Sequence, residues 1–207
     1  MANISNQVLK NRALGNLQGN WADAAIVTLV FYFISLILTQ GVSAFIGNDE
    51  ARLSFALLSA LVCIPLSWGF AVMFLDFIRG GRLAVGKLFD GYRSSWLRIF
   101  TTYLLMEIYI LLWTLLLIVP GIIKSLSYGL TFFILKDNPE LSNNAAIEKS
   151  MRMMEGHKME LFILYLSFIG WFLLSLLTLG LGFLFLVPYI YTTLAHFYEQ
   201  LKEEENG

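Results

Sequence analysis

The chain has 207 residues, 57% of them apolar and 14% charged, with a formal net charge of −1 and a mean hydropathy of +0.69. Soluble domains carry roughly 45–50% apolar and about 25% charged residues, so this is the balance of a chain embedded in lipid. Near-neutral charge with no basic face left over excludes nucleic acid as a partner, and the lone Cys63 excludes a disulfide framework.

A polar-apolar segment, Val8 to Leu14 and on to Gly19-Asn20-Trp21, opens the chain. It leads into the first of six long apolar runs, residues 21–46. A signal peptide with Val42-Ser43-Ala44 as cleavage site is the competing reading of this run. Its length exceeds the ~7–15 residues of a signal h-region, so an uncleaved anchor is expected. The second run, 53–78, follows a short loop, Gly47 to Arg52. A second polar-apolar segment, Gly86 to Arg93, precedes the third run, 97–119. Only Pro120-Gly121 separates that run from the fourth, 121–135, which reads as a tight turn at the outer surface. Lys136-Asp137-Asn138-Pro139-Glu140 ends the fourth run and, with Asn138-Pro139 as a helix-start signal, opens a third short helix. Ile147, Met151 and Met154 give it one apolar face at i, i+4, i+7 spacing, and Gly156 stops it. The fifth and sixth runs, 161–179 and 183–198, flank a turn at Gly180-Leu181-Gly182. About 20 residues cross a hydrocarbon core, so all six runs are read as transmembrane helices.

Basic residues fall in alternate loops. Lys10 and Arg12 precede the first run; Arg79, Arg82, Lys87, Arg93 and Arg98 lie between the second and third. Lys136, Lys149, Arg152 and Lys158 lie between the fourth and fifth, and Lys202 follows the sixth, whereas the other loops hold only Arg52. Basic loops stay inside, so both termini are expected in the cytoplasm. Trp21, Tyr92, Trp96 and Tyr198 fall near the inner boundaries, where amphipathic rings act as anchors.

The three short segments precede the odd-numbered runs, each on the cytoplasmic side, as interfacial elbow helices would. Gly91-Tyr92-Arg93 aligns with Gly156-His157-Lys158, 65 positions on, which lays Leu112-Trp113-Thr114-Leu115 over Leu177-Thr178-Leu179-Gly180. Pro65, Trp68, Phe74 and Asp76 find counterparts in Pro188, Tyr191, Phe197 and Glu199, and Ser67-Trp68-Gly69 resembles Ser127-Tyr128-Gly129. The expectation is an all-α polytopic fold, a single domain over 1–207 with pseudo-repeats at about 4–80, 82–136 and 138–201. Each repeat is elbow, span, outer turn and span, so the pseudo-axis runs along the membrane normal.

Several strings carry a family likeness. They are Leu9-Lys10-Asn11-Arg12-Ala13 through Gly19-Asn20-Trp21; Pro120-Gly121-Ile122-Ile123-Lys124 through Tyr128; and Lys136 through Ser142 with Ala146-Ile147. Ser167-Phe168-Ile169-Gly170-Trp171 and Pro188-Tyr189 with Phe197-Tyr198 complete it. On these the chain resembles a bacterial family of integral membrane proteins of unknown function. It is distantly similar to the membrane region attached to some bacterial glycerophosphodiester phosphodiesterases, without their soluble barrel or metal-binding acids. The resemblance implies a bacterial cytoplasmic-membrane protein and no activity.

Glu107 is the most anomalous residue, about nine positions into the third run and hence ~13 Å deep. A mid-membrane carboxylate costs roughly 2.5–3.5 kcal/mol and calls for a partner or a polar cavity. It either carries a proton or grips a cationic headgroup, or it is a protonated Glu hydrogen-bonded to Tyr103 one turn away or to a Thr or Ser on another span. Lys124, one turn below the outer turn, either snorkels outward or holds a lipid phosphate with Ser125 and Ser127. Pro65 and Pro188 would kink their spans. Met151, Met153 and Met154 read as packing under the elbow, and His196 as an interfacial polar tip. His157 and His196 form no paired metal motif, and no nucleophile-base-acid set or phosphate loop is visible. The chain is therefore read as a non-enzymatic accessory, scaffold or lipid-organising protein without cofactor or metal. Its partners would be membrane lipids and a membrane protein or a second copy of itself. A small transporter or lipid-handling protein with a polar cavity around Glu107 is the alternative.

Overall fold

Helix follows helix through the described residues, which are 5–41, 49–93 and 95–206 of a computed structural model, and no strand occurs among them. The helices are α1 (Asn6–Leu17), α2 (Trp21–Leu36, widening into a π-turn over Ile37–Gly41), α3 (Asp49–Ile78) and α4 (Asp90–Arg93, preceded by a 3₁₀ turn Val85–Phe89). Then come α5 (Trp96–Leu116), α6 (Ile118–Tyr128), α7 (Thr131–Asp137) and α8 (Asn143–Met153). The last three are α9 (Lys158–Leu166), α10 (Ile169–Leu177) and α11 (Phe183–Asn206). Val42-Ser43-Ala44 and the end of the first expected span lie outside the described residues. Of the loop expected at 47–52, the part from Asp49 onward is already helix.

Five stretches are long and apolar enough to cross a membrane: Trp21–Gln40, Leu61–Ile78, Trp96–Leu116, Ile118–Asp137 and Lys158–Leu177. The protein is thus a helical membrane protein by the criterion of length and apolarity. α11 is longer than any of these windows, but it turns polar from Glu199 onward.

Burial separates these stretches into two shells. Leu61–Ile78 is 61% buried and Ile118–Asp137 44%, whereas Trp21–Gln40, Trp96–Leu116 and Lys158–Leu177 are only 17%, 11% and 22% buried. α3, α6–α7 and α11 therefore make the centre. Phe70, Phe74 and Tyr191 cluster there with ring centroids 5.1–5.9 Å apart, and Phe133 stacks on Tyr198. The outer shell shows its side chains to the surroundings: Leu111, Leu115 and Leu177 are all exposed. Such a surface suits a hydrocarbon solvent, in which apolar exposure carries no cost.

Each short helix lies on a central one. α1 packs on α11, the Val85–Phe89 turn and α4 pack on α3, and α8 packs on α6 and α7. Contacts at these seams are close. A Cβ on Gly91 would overlap the Pro65 carbonyl oxygen, and one on Gly69 would overlap the Leu88 carbonyl oxygen. Tyr92 completes the seam by donating its hydroxyl to the Val62 carbonyl, beside the point where Pro65 interrupts the helix ladder. On the α8 side, Ser150 donates its hydroxyl to the Ser127 carbonyl at 2.8 Å and accepts from the Leu130 amide at 3.3 Å. That one side chain serves backbone groups on either side of the break between α6 and α7. On the α1 side, Lys10 Nζ donates to the Ser167 carbonyl and hydroxyl, each at 3.2 Å, and lies 4.5 Å over the Phe168 ring. Lys10 thereby caps the end of α9 with a cation, the sign the helix dipole favours.

The α5–α6 and α10–α11 hairpins close by the same device. A Cβ on Gly121 would overlap Thr114 across the first turn, and one on Gly182 would come within 2.7 Å of the Ser175 Cα across the second. The expected turn at Pro120-Gly121 is displaced, however. Leu117 is the extended residue (φ −160°, ψ 143°), and α6 already begins at Ile118. Pro120 sits in the first helical turn, where a missing N–H costs no hydrogen bond.

Three further expectations are corrected. Asn138 ends α7, but the cap of α8 is Ser142, whose hydroxyl accepts from the Ala145 amide. The buried face of α8 runs through Ala146, Ile147, Ser150 and Met153; Ile147 and Met154 are buried as expected, and only Met151 departs, being half-buried. Tyr198 is not an interfacial anchor: it is buried at the centre, and its hydroxyl bonds to Asp137 at 3.0 Å.

Candidate functional site

Glu107 lies on α5, the least buried of the five apolar stretches, and its side chain is exposed beside Leu104, Ile108 and Leu111. Tyr103 precedes it by four residues, one turn back and on the same helix face. Lys124 stands elsewhere. It is half-buried on α6 with Nζ 5.0 Å over the Trp113 ring, a cation–π contact at the other end of α5. Ser125 and Ser127 give their hydroxyls to the Ile122 and Ile123 carbonyls of their own helix. So Tyr103 stands one helical turn from Glu107, and Lys124 is engaged elsewhere, over Trp113.

A charged cluster stands where the three central helices end. Asp76 closes α3, Asp137 closes α7, and Glu199 lies at the corresponding level of α11, at intervals of 61 and 62 residues. Arg79 holds Asp137 with both terminal nitrogens at 2.7 Å and gives Nε–H to Glu199 at 2.6 Å. Lys202 reaches Asp137 at 2.5 Å, with Tyr198 as a further donor. Asp76 accepts from Lys136 at 3.2 Å and faces Lys87 at 3.5 Å. Each carboxylate is therefore gripped by a cation from another element, and the cluster latches α3, α7 and α11 together. The Asp137 side chain is only 9% exposed and accepts from three donors, the condition under which a buried carboxylate is tolerated. Hydrogen bonding to Asp137 raises the Arg79 guanidinium further above its ordinary value, against the burial that lowers it.

The two histidines are also tied in. His196 donates Nε2–H to Asn16 Oδ1 at 2.6 Å, joining α11 to α1 instead of standing as a free tip. His157 has Nδ1 2.8 Å from Glu160 and Nε2 3.6 Å from Glu204, joining the α8–α9 junction to the end of α11. Among the described residues no group of three His, Cys, Asp or Glu side chains is placed to hold a metal ion.

A family model described as a protein of unknown function (DUF975) matches residues 115–205. Over that stretch the chain is similar to this family. The likeness to a family without assigned function is therefore met for α6 to α11, including Asp137, Glu199, Lys202 and both hairpin glycines. Glu107 and Tyr103 lie outside the matched residues. No curated protein and no solved structure matches the chain.

The repeat alignment pairs Asp76 with Glu199 and leaves out Asp137, the third member. The signal was present: an acidic residue recurs at the end of each even-numbered run, with basic residues near the first and third at Arg79 and Lys202.

Proposed function

We propose that this chain is a non-enzymatic scaffold of the bacterial cytoplasmic membrane, which organises lipids or holds a membrane partner. Its six spans form three hairpin units around a pseudo-axis along the membrane normal, with both termini and all three elbows in the cytoplasm. The basic loops support that orientation. The order of packing supports the units: each elbow and the odd-numbered span after it dock on the even-numbered span before them, and α1 and α2 dock on α11. A closed ring of this kind leaves no unit unpartnered.

The observation that carries the scaffold reading is the outward position of Glu107. A transporter's carboxylate faces the bundle interior or a wet cavity, whereas Glu107 sits on an exposed apolar face of α5. Left against lipid, it costs roughly 2.5–3.5 kcal/mol. A second copy or another membrane protein that supplies a hydrogen-bond donor removes that cost. Replacing Glu107 with leucine should keep the folded yield and cut recovery of the bound partner or second copy by roughly tenfold or more, since tenfold is about 1.4 kcal/mol. Native mass spectrometry of gently extracted protein reads this directly. Unchanged recovery counts against the scaffold. Loss of a transport or lipid-exchange activity in folded Glu107→Gln favours the small transporter or lipid-handling reading around Glu107 and Tyr103.

The topology has its own check. Accessibility tags placed after Gly207 and within residues 47–52 should report opposite sides of the membrane, and a same-side result rules out six spans.

A further inference from the structure

The start of α5, the end of α7, α4 and Trp68 of α3 border a half-open cleft of about 420 Å³. Its lining combines the apolar Trp68, Ile99 and Leu135 with the basic Arg93, Arg98 and Lys136. That volume lies within the range of small-molecule sites, roughly 300–1,000 Å³.

The charges on this wall are incompletely met from within the protein. Arg98 gives one N–H to a neutral acceptor, the Asn138 carbonyl at 2.8 Å. Its Nε is sealed from solvent and has no hydrogen-bond partner among the described residues. Glu140 acts on it only through space. Arg93 reaches Asp90, which also lines the cavity, at 3.8 Å, the outer limit of an ion pair, and is itself 76% exposed. Lys136 shares Asp76 with Lys87. Ser95, on the same wall, makes no side-chain cap to α5, so its hydroxyl does not serve the first amides of this 21-residue helix. Partly buried cations are ordinarily paired, and guanidinium forks match phosphate oxygens.

We propose that this cavity binds a phosphate-bearing anion, its phosphate held by Arg93, Arg98 and Lys136 and its apolar remainder laid along Trp68, Ile99 and Leu135. The amphipathic wall suits a phospholipid's phosphate with its glycerol and first methylenes, and equally a soluble phosphate ester. The chemistry is the same for both sources. Only the lipid source rests on the six-span reading, which sets the start of α5 at the inner membrane boundary; the binding itself does not.

The test uses the full chain in an uncharged detergent, titrated with dioctanoyl phosphatidylglycerol, dioctanoyl phosphatidylcholine and glycerol 3-phosphate while affinity is measured. Phosphatidylglycerol should bind saturably and more tightly than phosphatidylcholine. Arg98→Gln and Arg93→Gln should each weaken it about tenfold, the scale of one charge-assisted hydrogen bond. Arg12→Gln, exposed on α1 and outside the cavity lining, should leave it unchanged. Arg93 is exposed enough to be replaced without disturbing packing, so an unfolded Arg98→Gln does not end the test. Glycerol 3-phosphate displacing the lipid at comparable affinity assigns the site to soluble esters, and failure to displace it assigns the site to the bilayer. Equal lipid affinity in the wild type and both arginine variants, or equal affinity for the two lipids, overturns the proposal. The topology tags fail or succeed independently of this result, so loss of one reading does not pass for loss of the other.

Discussion

Replacing Asp137 with alanine is expected to destabilise the folded protein by roughly 3 kcal/mol, more than any other single change in the charged cluster. Removing one partner of a buried ion pair costs about 3–5 kcal/mol because the other charge is left stranded. Here the cost falls toward the lower end, since Arg79 is one-third exposed and keeps Glu199. Lys202 is 36% exposed, so Lys202→Ala should cost about 1 kcal/mol or less. In the double variant Arg79→Ala with Asp137→Ala, the loss should be smaller than the sum of the two single losses, because both changes remove the same Arg79–Asp137 fork. Chemical denaturation in detergent, followed by the fluorescence of the chain's five tryptophans, measures all three. An Asp137→Ala loss no larger than that of Lys202→Ala refutes the latch. The consequence reaches function, because the cluster joins α3, α7 and α11 at the base of the bundle. Loosening it should move the outer helices that carry the proposed partner face.

The membrane class was legible in the sequence because it depends on a sum, the length and apolarity of the runs. Pairing was less legible because it depends on depth and register. The alignment by elbow motifs offset the last two units by 65 residues, whereas the hairpin contacts Thr114–Gly121 and Ser175–Gly182 differ by 61. The difference arises mostly between elbow and span, where Gly91 precedes α5 by five residues but Gly156 precedes α9 by two. Leu-rich helices carry no marker that would have revealed this slip of about one helical turn. The Pro120-Gly121 turn was misplaced for a related reason. A proline in apolar sequence signals a break, yet the first turn of a helix accepts it. Glu107 is legible because a carboxylate in an apolar run is conspicuous, and the nearness of Tyr103 follows from i, i+4 spacing alone. That it faces outward could not be read, since α5 is apolar all round and gives no inner face to count from.

Replacing Gly91 with alanine should cost about 3 kcal/mol, a large effect for the addition of one methyl group. The new Cβ would fall on the Pro65 carbonyl oxygen. A backbone oxygen inside a 30-residue helix cannot rotate away as a side chain can, so the elbow must lift. Overpacking of this kind costs roughly 1–3 kcal/mol, and lifting also strains the bond from Tyr92 to the Val62 carbonyl, worth about 1 kcal/mol. Gly69→Ala meets the Leu88 carbonyl from the other side of the same seam and should behave alike. The two together should cost less than their sum, because one displacement relieves both overlaps. Gly86 supplies the control. It lies in the same elbow with nothing within 4 Å of where its Cβ would stand, so Gly86→Ala should be neutral in the same denaturation experiment. Arg93 follows Gly91 by two residues and lines the proposed anion cavity. Gly91→Ala should therefore weaken phosphatidylglycerol binding along with stability, while Gly86→Ala alters neither. A Gly91→Ala protein as stable as the wild type would show that elbow and span are not in backbone contact, and the cavity between them would lose its wall.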